Sequence, residues 1–290
     1  MKALVVGLGI GQLYKTVLTN LGYEVITVDS NIAKGADLPT VDSAVIAHAP
    51  FDITFVCTPN HTHFELAAKV APYSKIVFIE KPGVSNSFSW TNLVTVFKKT
   101  RFMMVKNNMW RSNIAELQSL ASQSDTVKIQ WLRHNCIPNP GSWFTTKRLA
   151  FGGVSRDLMP HLLSIYIALN PNWRKVSATN RNAVTNWKLA DIESTEYGTV
   201  NYSGTYDVDD RCTINFGDKW ALVADWRTLE EDNSSIDFIA NTNTNVELGW
   251  CPEDAYTAMI KDAVANINNH QFWLDQFEID TWIHEQIENL

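Results

Sequence analysis

The chain has 290 residues, of which 45% are hydrophobic and 19% are charged, and its formal net charge is -7 at pH 7. This balance is typical of a globular protein with a sizeable core, and it excludes collagen-like and broadly disordered classes. The negative charge argues against a nucleic-acid-binding surface, because phosphate recognition needs clustered Lys and Arg. No apolar run approaches the ~18 residues that a membrane-spanning helix needs.

The four cysteines, Cys57, Cys136, Cys212 and Cys251, stand far apart in the chain. They form no CxxC pair and no Cys/His spacing that is typical of zinc sites. We therefore expect reduced, buried thiols, no metal site and a cytoplasmic location.

Residues 1–110 alternate between short apolar strands and helical stretches, which begin with a strand over 4–8 and a helix over 11–21. Further strands are predicted over 24–28, 53–57 and 75–79, and further helices over 64–70 and 89–99. Continuous apolar strands separated by crossover helices indicate a parallel sheet that is covered on both faces. Since such crossovers are right-handed, this α/β domain should form a doubly wound, Rossmann-like sheet.

The pattern changes after residue 110, so residues 111–290 are predicted to form a second, α+β domain. It begins with helices over 113–122 and 154–169, a strand over 127–132 and a Pro/Asn/Gly loop over 137–141. Residues 174–250 are strand-like and lack crossover helices, which predicts a mostly antiparallel open sheet. Helices over 255–267 and 276–290 close the chain.

A glycine-rich turn between the first strand and the first helix predicts a dinucleotide site. It consists of Gly7, Gly9, Ile10, Gly11 and Gln12, with the third glycine one position earlier than in GxGxxG. Glycine allows close backbone approach to a pyrophosphate, and the helix N-terminus offers N–H groups and a positive dipole end. Asp29, about 20 residues on, would bind the adenosine ribose hydroxyls and favour NAD over NADP. Alternatively Asp29 only caps a turn, and Lys34 serves a phosphate.

Three further segments resemble the signatures of one enzyme family. They are Thr58-Pro59-Asn60-His61-Thr62-His63, Glu80-Lys81-Pro82 and the segment that runs from Gly152-Gly153 through Asp157 to His161. In this order they are similar to the TPNxxH, EKP and GGxxxDxxxH motifs of the Gfo/Idh/MocA family, which includes glucose–fructose oxidoreductase and inositol dehydrogenase. The resemblance implies an NAD(P)-dependent enzyme that transfers hydride between nicotinamide and a secondary alcohol or ketone of a sugar, nucleotide sugar or cyclitol.

Lys81 is the first candidate for proton transfer. It follows a predicted strand at its carboxyl end, where open parallel sheets bind their ligands, and its amine could take the hydroxyl proton. Asp157 and His161 are four residues apart, so on one helix they would share a face and complete the substrate site. Pro160 lies between them, so one alternative is a helix that begins late or kinks there. In family members either the histidine or the lysine is assigned the proton transfer, so the choice stays open here. The alternative is an Asp–His pair that only stabilises the helix.

Further residues are assigned to the cofactor and the substrate. The resemblance implies that Thr58, Pro59, Asn60 and Glu80 line the nicotinamide ribose, that Lys81 also contacts the cofactor beside the nicotinamide, and that His63 packs near the cofactor or caps the next helix. It also implies that Asn108 contacts the substrate. Trp143, Lys147 and Arg148 precede the diglycine and are predicted to form one wall of the substrate pocket. The two cations would suit a phosphorylated, nucleotide-linked or carboxylated substrate, or form a solvated turn. Family members pair through the open sheet, which implies a homodimer or tetramer that uses residues 199–226.

Two other functions compete with the sugar dehydrogenase. One is a reductase of a non-sugar substrate, similar to biliverdin reductase or dihydrodiol dehydrogenase, and the other is a non-catalytic NAD(P)-binding sensor. The biliverdin reductases lack the lysine of the EKP motif, so Lys81 argues against the first. A sensor would not need the lysine or the histidine, and both Lys81 and His161 are present.

Overall fold

A computed structural model describes residues 1–134, 142–184, 208–228, 236–288 and 290. The chain divides into two compact units, the first formed by residues 1–105 together with 256–288, and the second by residues 106–255. The predicted boundary at residue 110 differs from this division in two ways. The structure changes unit after residue 105, and it places residues 256–288 in the first unit, whereas the sequence predicted the closing helices in the second domain.

The first unit contains a five-stranded sheet and the helices that connect its strands. The strands are β1 (Lys2–Val6), β2 (Glu24–Val28), β3 (Phe51–Val56), β4 (Ser74–Ile79) and β5 (Arg101–Met104), in the order β2-β1-β3-β4-β5. The helices are α1 (Gly11–Asn20), α2 (Val41–His48), α3 (His63–Val70) and α4 (Ser87–Val96). All strand pairs are parallel, so the predicted Rossmann-like sheet is confirmed.

An aromatic stack fills the interior beside this sheet. Phe55 stacks on Phe78 with ring centroids 4.6 Å apart, and Tyr14 of α1 stacks on Phe55 at 4.3 Å. All three side chains are fully buried, and each contributes a large apolar area to the core. The stack also carries the Tyr14 hydroxyl toward the carboxyl end of β4.

Two helices, α9 (Glu253–Ala265) and α10 (His270–Glu288), close the chain. α10 is fastened to the first unit by polar side chains. The Asp280 carboxylate accepts a hydrogen bond from the Met104 N–H at 3.0 Å, and the Glu288 carboxylate accepts one from the Ser87 N–H at 2.6 Å. These bonds explain why α10 belongs to the first unit, although its sequence position suggested the second.

The second unit contains a six-stranded sheet. Its strands are β6 (Val127–His134), β7 (Ala178–Val184), β8 (Arg211–Phe216), β9 (Trp220–Thr228), β10 (Ile236–Ala240) and β11 (Thr244–Glu247), in the order β11-β10-β6-β9-β8-β7. Only the β6–β9 pair is parallel among these strands, which confirms the predicted mostly antiparallel sheet. The predicted loop over 137–141 and residues 199–207 of the predicted pairing face lie outside the described residues.

Four helices accompany this sheet: α5 (Ile114–Ser122), α6 (Lys147–Ala150), α7 (Val154–Asp157) and α8 (Met159–Leu169). Tyr166 of α8 stacks on Phe216 of the sheet with ring centroids 4.3 Å apart. The single helix predicted over 154–169 is therefore two helices, which are separated at Leu158. Pro160 stands in the first turn of α8, where its missing N–H costs no helical hydrogen bond.

The described ranges hold no helix that is long and apolar enough to cross a membrane. They also hold no group of three or more His, Cys, Asp or Glu side chains that could bind a metal ion. Cys57, Cys212 and Cys251 are free thiols, whereas Cys136 lies outside the described residues. Burial raises the pKa of Cys57 and Cys212 well above the ordinary thiol value and that of Cys251 to about 11, so these thiols stay protonated at neutral pH.

Candidate active site

The glycine-rich turn joins β1 to α1, and each of its three glycines is explained by a different feature of its surroundings. Gly7 has φ +93°, and an added Cβ would lie 2.6 Å from the carbonyl oxygen of Cys57. At Gly9 an added Cβ would meet nothing within 4 Å, so this backbone is open to approach from outside the protein. At Gly11 it would lie 3.0 Å from Val5 Cγ1, so this glycine permits close packing of α1 on β1. The third glycine thus has the usual packing role one position early.

The start of α1 fits the pyrophosphate of a dinucleotide. No side chain caps its first turn, and the Gln12 and Leu13 N–H groups donate to the Gly9 and Ile10 carbonyl oxygens at 3.2 and 3.0 Å. The positive dipole end of the helix is thus left without a side-chain acceptor. The turn itself is fixed from below, because the Gly7 N–H donates to the Val28 carbonyl at 2.7 Å. A preformed, uncapped glycine turn is the arrangement that an anionic diphosphate requires.

Asp29 is buried at the end of β2 and accepts three hydrogen bonds. The donors are the Leu8 N–H at 2.7 Å, the Asn31 N–H at 2.8 Å and the Lys34 ammonium at 3.1 Å. Burial raises the pKa of Asp29, but these hydrogen bonds and the charge of Lys34 lower it overall, so the carboxylate is ionised at neutral pH. Asp29 therefore caps a turn, which is one of the two roles that the sequence suggested for it. A carboxylate has about four acceptor positions, so it can still bind a ribose hydroxyl.

The loop after β3 carries Thr58, Pro59 and Asn60. The Thr62 hydroxyl donates to the Pro59 carbonyl at 2.7 Å and lies 2.6 Å from the Thr58 hydroxyl. Asn60 is buried. Because β3 and β4 are parallel neighbours, this loop and the Glu80-Lys81-Pro82 segment lie at the same edge of the sheet.

Glu80 supports the backbone of Lys81. One carboxylate oxygen of Glu80 accepts a hydrogen bond from the Tyr14 hydroxyl, and the other accepts one from the Lys81 N–H at 3.1 Å. Burial and the charge of Glu80 raise the pKa of Tyr14 well above its ordinary value, so Tyr14 remains a donor. Lys81 itself is half-buried. The arrangement fixes the main chain from which the lysine side chain extends.

His63 connects the loops that follow β3 and β4. Its Nδ1 lies 2.7 Å from the Gly83 carbonyl oxygen, and its Nε2 lies 2.7 Å from the Thr58 carbonyl oxygen. Burial lowers the pKa of His63 to about 4, although the two carbonyl oxygens raise it, so at neutral pH the ring carries one proton and donates to only one of them. The expected helix cap is not what His63 provides, since α3 has Thr62 at its N-cap and no capping side chain. His63 instead holds two loops together.

The peptide group between Gly83 and Val84 is held from both sides. Its carbonyl faces His63, and its N–H donates to Nε2 of His284 at 3.1 Å. His284 Nδ1 lies 2.6 Å from the Asp280 carbonyl oxygen, which can only accept, so Nδ1 carries the ring proton and Nε2 is the acceptor. Two buried histidines thus fix the main chain two residues beyond Lys81.

His63 is expected to make the stability of the protein depend on pH. Its pKa in the folded protein, about 4, lies below the ordinary value of 6.5, so protons bind more readily to the unfolded chain. The stabilisation is complete above pH 6.5 and decreases as the pH falls toward 4, by about 3 kcal/mol. Urea unfolding of the wild type and His63→Gln between pH 8 and pH 4 checks this. The stability difference between the two proteins should shrink with acidity, and a constant difference would contradict the prediction.

The diglycine of the second unit allows the main chain of Asp209 to approach α7. An added Cβ on Gly153 would lie 1.9 Å from the Asp209 carbonyl oxygen. The Asp209 carboxylate accepts hydrogen bonds from the Gly153 N–H at 2.7 Å, the Ser155 N–H at 2.6 Å and the Ser155 hydroxyl at 2.9 Å. Asp209 therefore caps the start of α7 and fixes the segment that leads to Asp157 and His161.

Asp157 ends α7, and His161 lies in the first turn of α8. The two helices are broken at Leu158, so the expectation of one continuous helix face was wrong. The His161 N–H still donates to the Leu158 carbonyl at 3.1 Å, which keeps the two segments in succession. Both side chains are half-buried, whereas Met159 between them is fully buried in the core.

A chain of hydrogen bonds leads from Arg111 to His161. The Arg111 guanidinium donates to the carbonyl oxygens of Leu248 at 2.6 Å and Gly249 at 3.0 Å, and its Nε donates to Asn108 Oδ1 at 2.8 Å. The Asn108 Nδ2 lies 3.1 Å from His161 Nδ1. The structure therefore brings the predicted residues Asn108 and His161 together.

The other predicted substrate residues lie around α6. Trp143 is half-buried and stacks against Phe144 with ring centroids 3.9 Å apart. Lys147 and Arg148 begin α6 and are exposed. Their part in substrate binding stays a prediction.

Sequence reasoning missed several residues that lie beside the candidate site residues within each unit. All are polar or aromatic side chains that the structure buries: Tyr14, Lys106, Arg111, Trp131, Asp209 and His284. Lys106 follows β5 and is 1% exposed, which is rare for a lysine. The ring of Trp131 lies 5.3 Å from the ring of His161. Of these residues, only His284 could have been noticed in the sequence, because Asp280 and His284 have the same four-residue spacing as Asp157 and His161.

Comparison with known proteins agrees with this geometry. Residues 1–107 match the model of an oxidoreductase family with an NAD-binding Rossmann fold, GFO_IDH_MocA. A relative from Amycolatopsis mediterranei is 29% identical over 180 residues, and it is named as a UDP-kanosamine synthase oxidoreductase subunit. That alignment covers 56% of this chain and 50% of the relative, so the match spans about half the length of the relative.

Two solved structures share the fold over nearly the whole chain. GenD2 from gentamicin A biosynthesis, solved with NAD, is 18% identical with a TM-score of 0.74, and the match covers 99% of this chain and 92% of that one. Levoglucosan dehydrogenase, solved with NADH and levoglucosan, is 17% identical with a TM-score of 0.73 over 100% and 96%. The match to the Gfo/Idh/MocA model thus covers residues 1–107, and the solved structures extend the similarity of fold to the rest of the chain.

Proposed function

We propose that the protein is an NAD-dependent oxidoreductase that acts on a secondary alcohol or ketone of a sugar, nucleotide sugar or cyclitol. The observation that carries the proposal is Lys81, placed at the carboxyl end of β4 and fixed by Glu80, in a unit whose glycine turn fits a pyrophosphate. The names of two similar proteins contain UDP-kanosamine and levoglucosan, which are sugar derivatives, and this supports the substrate class.

Residues of the first unit would hold the dinucleotide. The Asp29 carboxylate, ionised at neutral pH, would accept from the adenosine ribose and repel a 2′-phosphate, which favours NAD over NADP. When bound, NAD supplies or accepts the hydride. The pyrophosphate would lie on Gly7, Gly9, Ile10, Gly11 and Gln12, and the nicotinamide ribose near Thr58, Pro59, Asn60 and Glu80.

Protein side chains would handle the proton and the substrate. The Lys81 amine would take the hydroxyl proton during alcohol oxidation and return it during ketone reduction. Asp157 and His161, presented by the capped start of α7 and by α8, would bind substrate hydroxyls. Trp143, Lys147 and Arg148 would add a wall to the substrate pocket. Pairing of two copies through the open face of the six-stranded sheet belongs to the same proposal.

A substrate panel tests the function. Sugars, nucleotide sugars and cyclitols are each incubated with NAD and with NADP, and formation of the reduced cofactor is followed by absorbance. We expect turnover of at least one compound, faster with NAD than with NADP, and a smaller cofactor preference in Asp29→Gly. Tight NAD binding without any turnover would instead support the non-catalytic sensor. Reduction of a bilin or oxidation of a dihydrodiol alone would support the non-sugar alternative.

A further inference from the structure

We infer that Asn108, held by Arg111, places the proton of the neutral His161 ring on Nε2, which makes His161 a hydrogen-bond donor and not a proton acceptor. This inference rests on the proposed function and deepens it. Asn108 and Arg111 act through His161 and are positioning residues.

The first step is the fixed orientation of the Asn108 amide. A guanidinium nitrogen can only donate, so the Asn108 atom 2.8 Å from Arg111 Nε is the amide oxygen. Arg111 cannot turn away, because its two terminal nitrogens are bonded to the carbonyl oxygens of Leu248 and Gly249. The guanidinium thus determines which end of the amide faces His161.

The second step is the state of the His161 ring. The end of Asn108 that faces the ring is the NH2 group, which can only donate, and it lies 3.1 Å from Nδ1. Nδ1 therefore accepts and holds no proton. A neutral imidazole carries one ring proton, so that proton is on Nε2.

The third step is the energetic cost of any other arrangement. A proton on Nδ1 would set one N–H against another, so both the other tautomer and the imidazolium are disfavoured. Asn108 is 1% exposed and Arg111 is 6% exposed, so neither group can exchange its partner for bulk water. Breaking these hydrogen bonds would leave the buried N–H donors of Arg111 and Asn108 without acceptors, which is unfavourable.

The tautomer limits the part that His161 can take in the proposed reaction. During alcohol oxidation the hydroxyl O–H bond breaks and its proton goes to a separate base, for which Lys81 is the candidate of the proposed function, while the hydride would leave the carbon with its electron pair for the oxidised NAD. His161 keeps its own proton throughout. Its Nε2–H donates to the substrate oxygen as negative charge develops there, which stabilises the transition state.

Nitrogen-15 NMR of histidine-labelled protein, without substrate or dinucleotide, tests the inference. The His161 signals are those that disappear in His161→Gln. In the wild type we expect a pyrrole-type shift for Nε2 and a pyridine-type shift for Nδ1. The reverse assignment, or rapid averaging of the two tautomers, in the wild-type protein would overturn the inference.

Asn108→Asp provides a nearly isosteric inversion. A carboxylate accepts from both Arg111 Nε and the ring, so Nδ1 should gain a proton and its shift should become pyrrole-type. Asn113→Asp, which adds the same charge five residues away on the partly exposed N-cap of α5, should leave the His161 signals unchanged. Unchanged His161 signals in folded Asn108→Asp would overturn the inference.

Kinetics separate this inference from the proposed function. If a substrate turns over, Asn108→Asp should lower kcat/KM by roughly 10²-fold, as expected for a lost or misplaced transition-state donor. Since the tautomer is measured without turnover, absence of dehydrogenase activity would leave the NMR result standing. Turnover together with the wrong tautomer would overturn the inference and leave the dehydrogenase proposal intact.

Discussion

Replacing Lys81 by methionine is expected to lower kcat by roughly 10²–10⁴-fold for any substrate found, because the general base for the hydroxyl proton is lost. Methionine keeps an unbranched side chain of similar length, and Glu80 still holds the main-chain N–H of residue 81. NADH binding, measured by fluorescence, should therefore stay close to the wild-type value. Initial rates with saturating substrate give the change in kcat.

Lys75→Met is the matched control for this variant. Lys75 lies on the same strand, β4, is exposed and forms an ion pair with Asp52 at 2.6 Å. Exposed ion pairs contribute only ~0–1 kcal/mol, so this variant should keep its stability and its activity. Full activity in Lys81→Met would show that another group accepts the proton and would contradict the proposed mechanism.

Gly153→Ala is expected to destabilise the protein by about 3 kcal/mol or more, at the upper end of overpacking effects. The new methyl group would lie 1.9 Å from the carbonyl oxygen of Asp209, which is main chain and cannot rotate away. The displacement would also strain the bonds that the Asp209 carboxylate makes to the Gly153 and Ser155 N–H groups. Urea unfolding monitored by tryptophan fluorescence measures the loss of stability.

Gly152→Ala separates this clash from a general intolerance of the diglycine. There the added Cβ would lie 2.8 Å from Arg156 Cγ and 2.9 Å from Ser155 Oγ, which are side-chain atoms that can shift. We expect a loss of about 1–2 kcal/mol, smaller than the effect at Gly153. Equal losses for the two variants would show that approach of the Asp209 main chain does not limit the site.

Four of the five strands of the first unit were predicted, because each contains a continuous apolar run bounded by polar or turn residues. The fifth, β5 (Arg101–Met104), was not predicted, since only four residues form it and the first is charged. β2 spans Glu24–Val28, as the sequence indicated. α2 was not predicted. Its eight residues, VDSAVIAH, include three β-branched side chains, and its buried residues are only Val41 and Ala44, so the helical pattern is weak.

The site residues that belong to local motifs were predictable, and those that orient them were not. Arg111 bonds to a carbonyl 137 residues away, and Asp209 bonds to an N–H 56 residues away. Hydrophobic periodicity and motif spacing describe neighbours along the chain, so they contain no information on such partners. The break at Leu158 escaped prediction for a related reason, since Pro160 is compatible with either a kink or a new helix start.

The segment that follows Lys81 is held by hydrogen bonds to α10, a part of the chain that is synthesised much later. His284 accepts from an N–H 200 residues earlier, and Asp280 accepts from one 176 residues earlier. At a translation rate of roughly 5–20 residues per second, α10 is synthesised roughly ten to forty seconds after the strands of the first unit. During that interval the Val84 and Met104 amides lack these acceptors, and the apolar surface that α10 will cover is open to chaperones. The two hydrogen bonds that hold the Val84 and Met104 amides can therefore form only after the second unit has been translated.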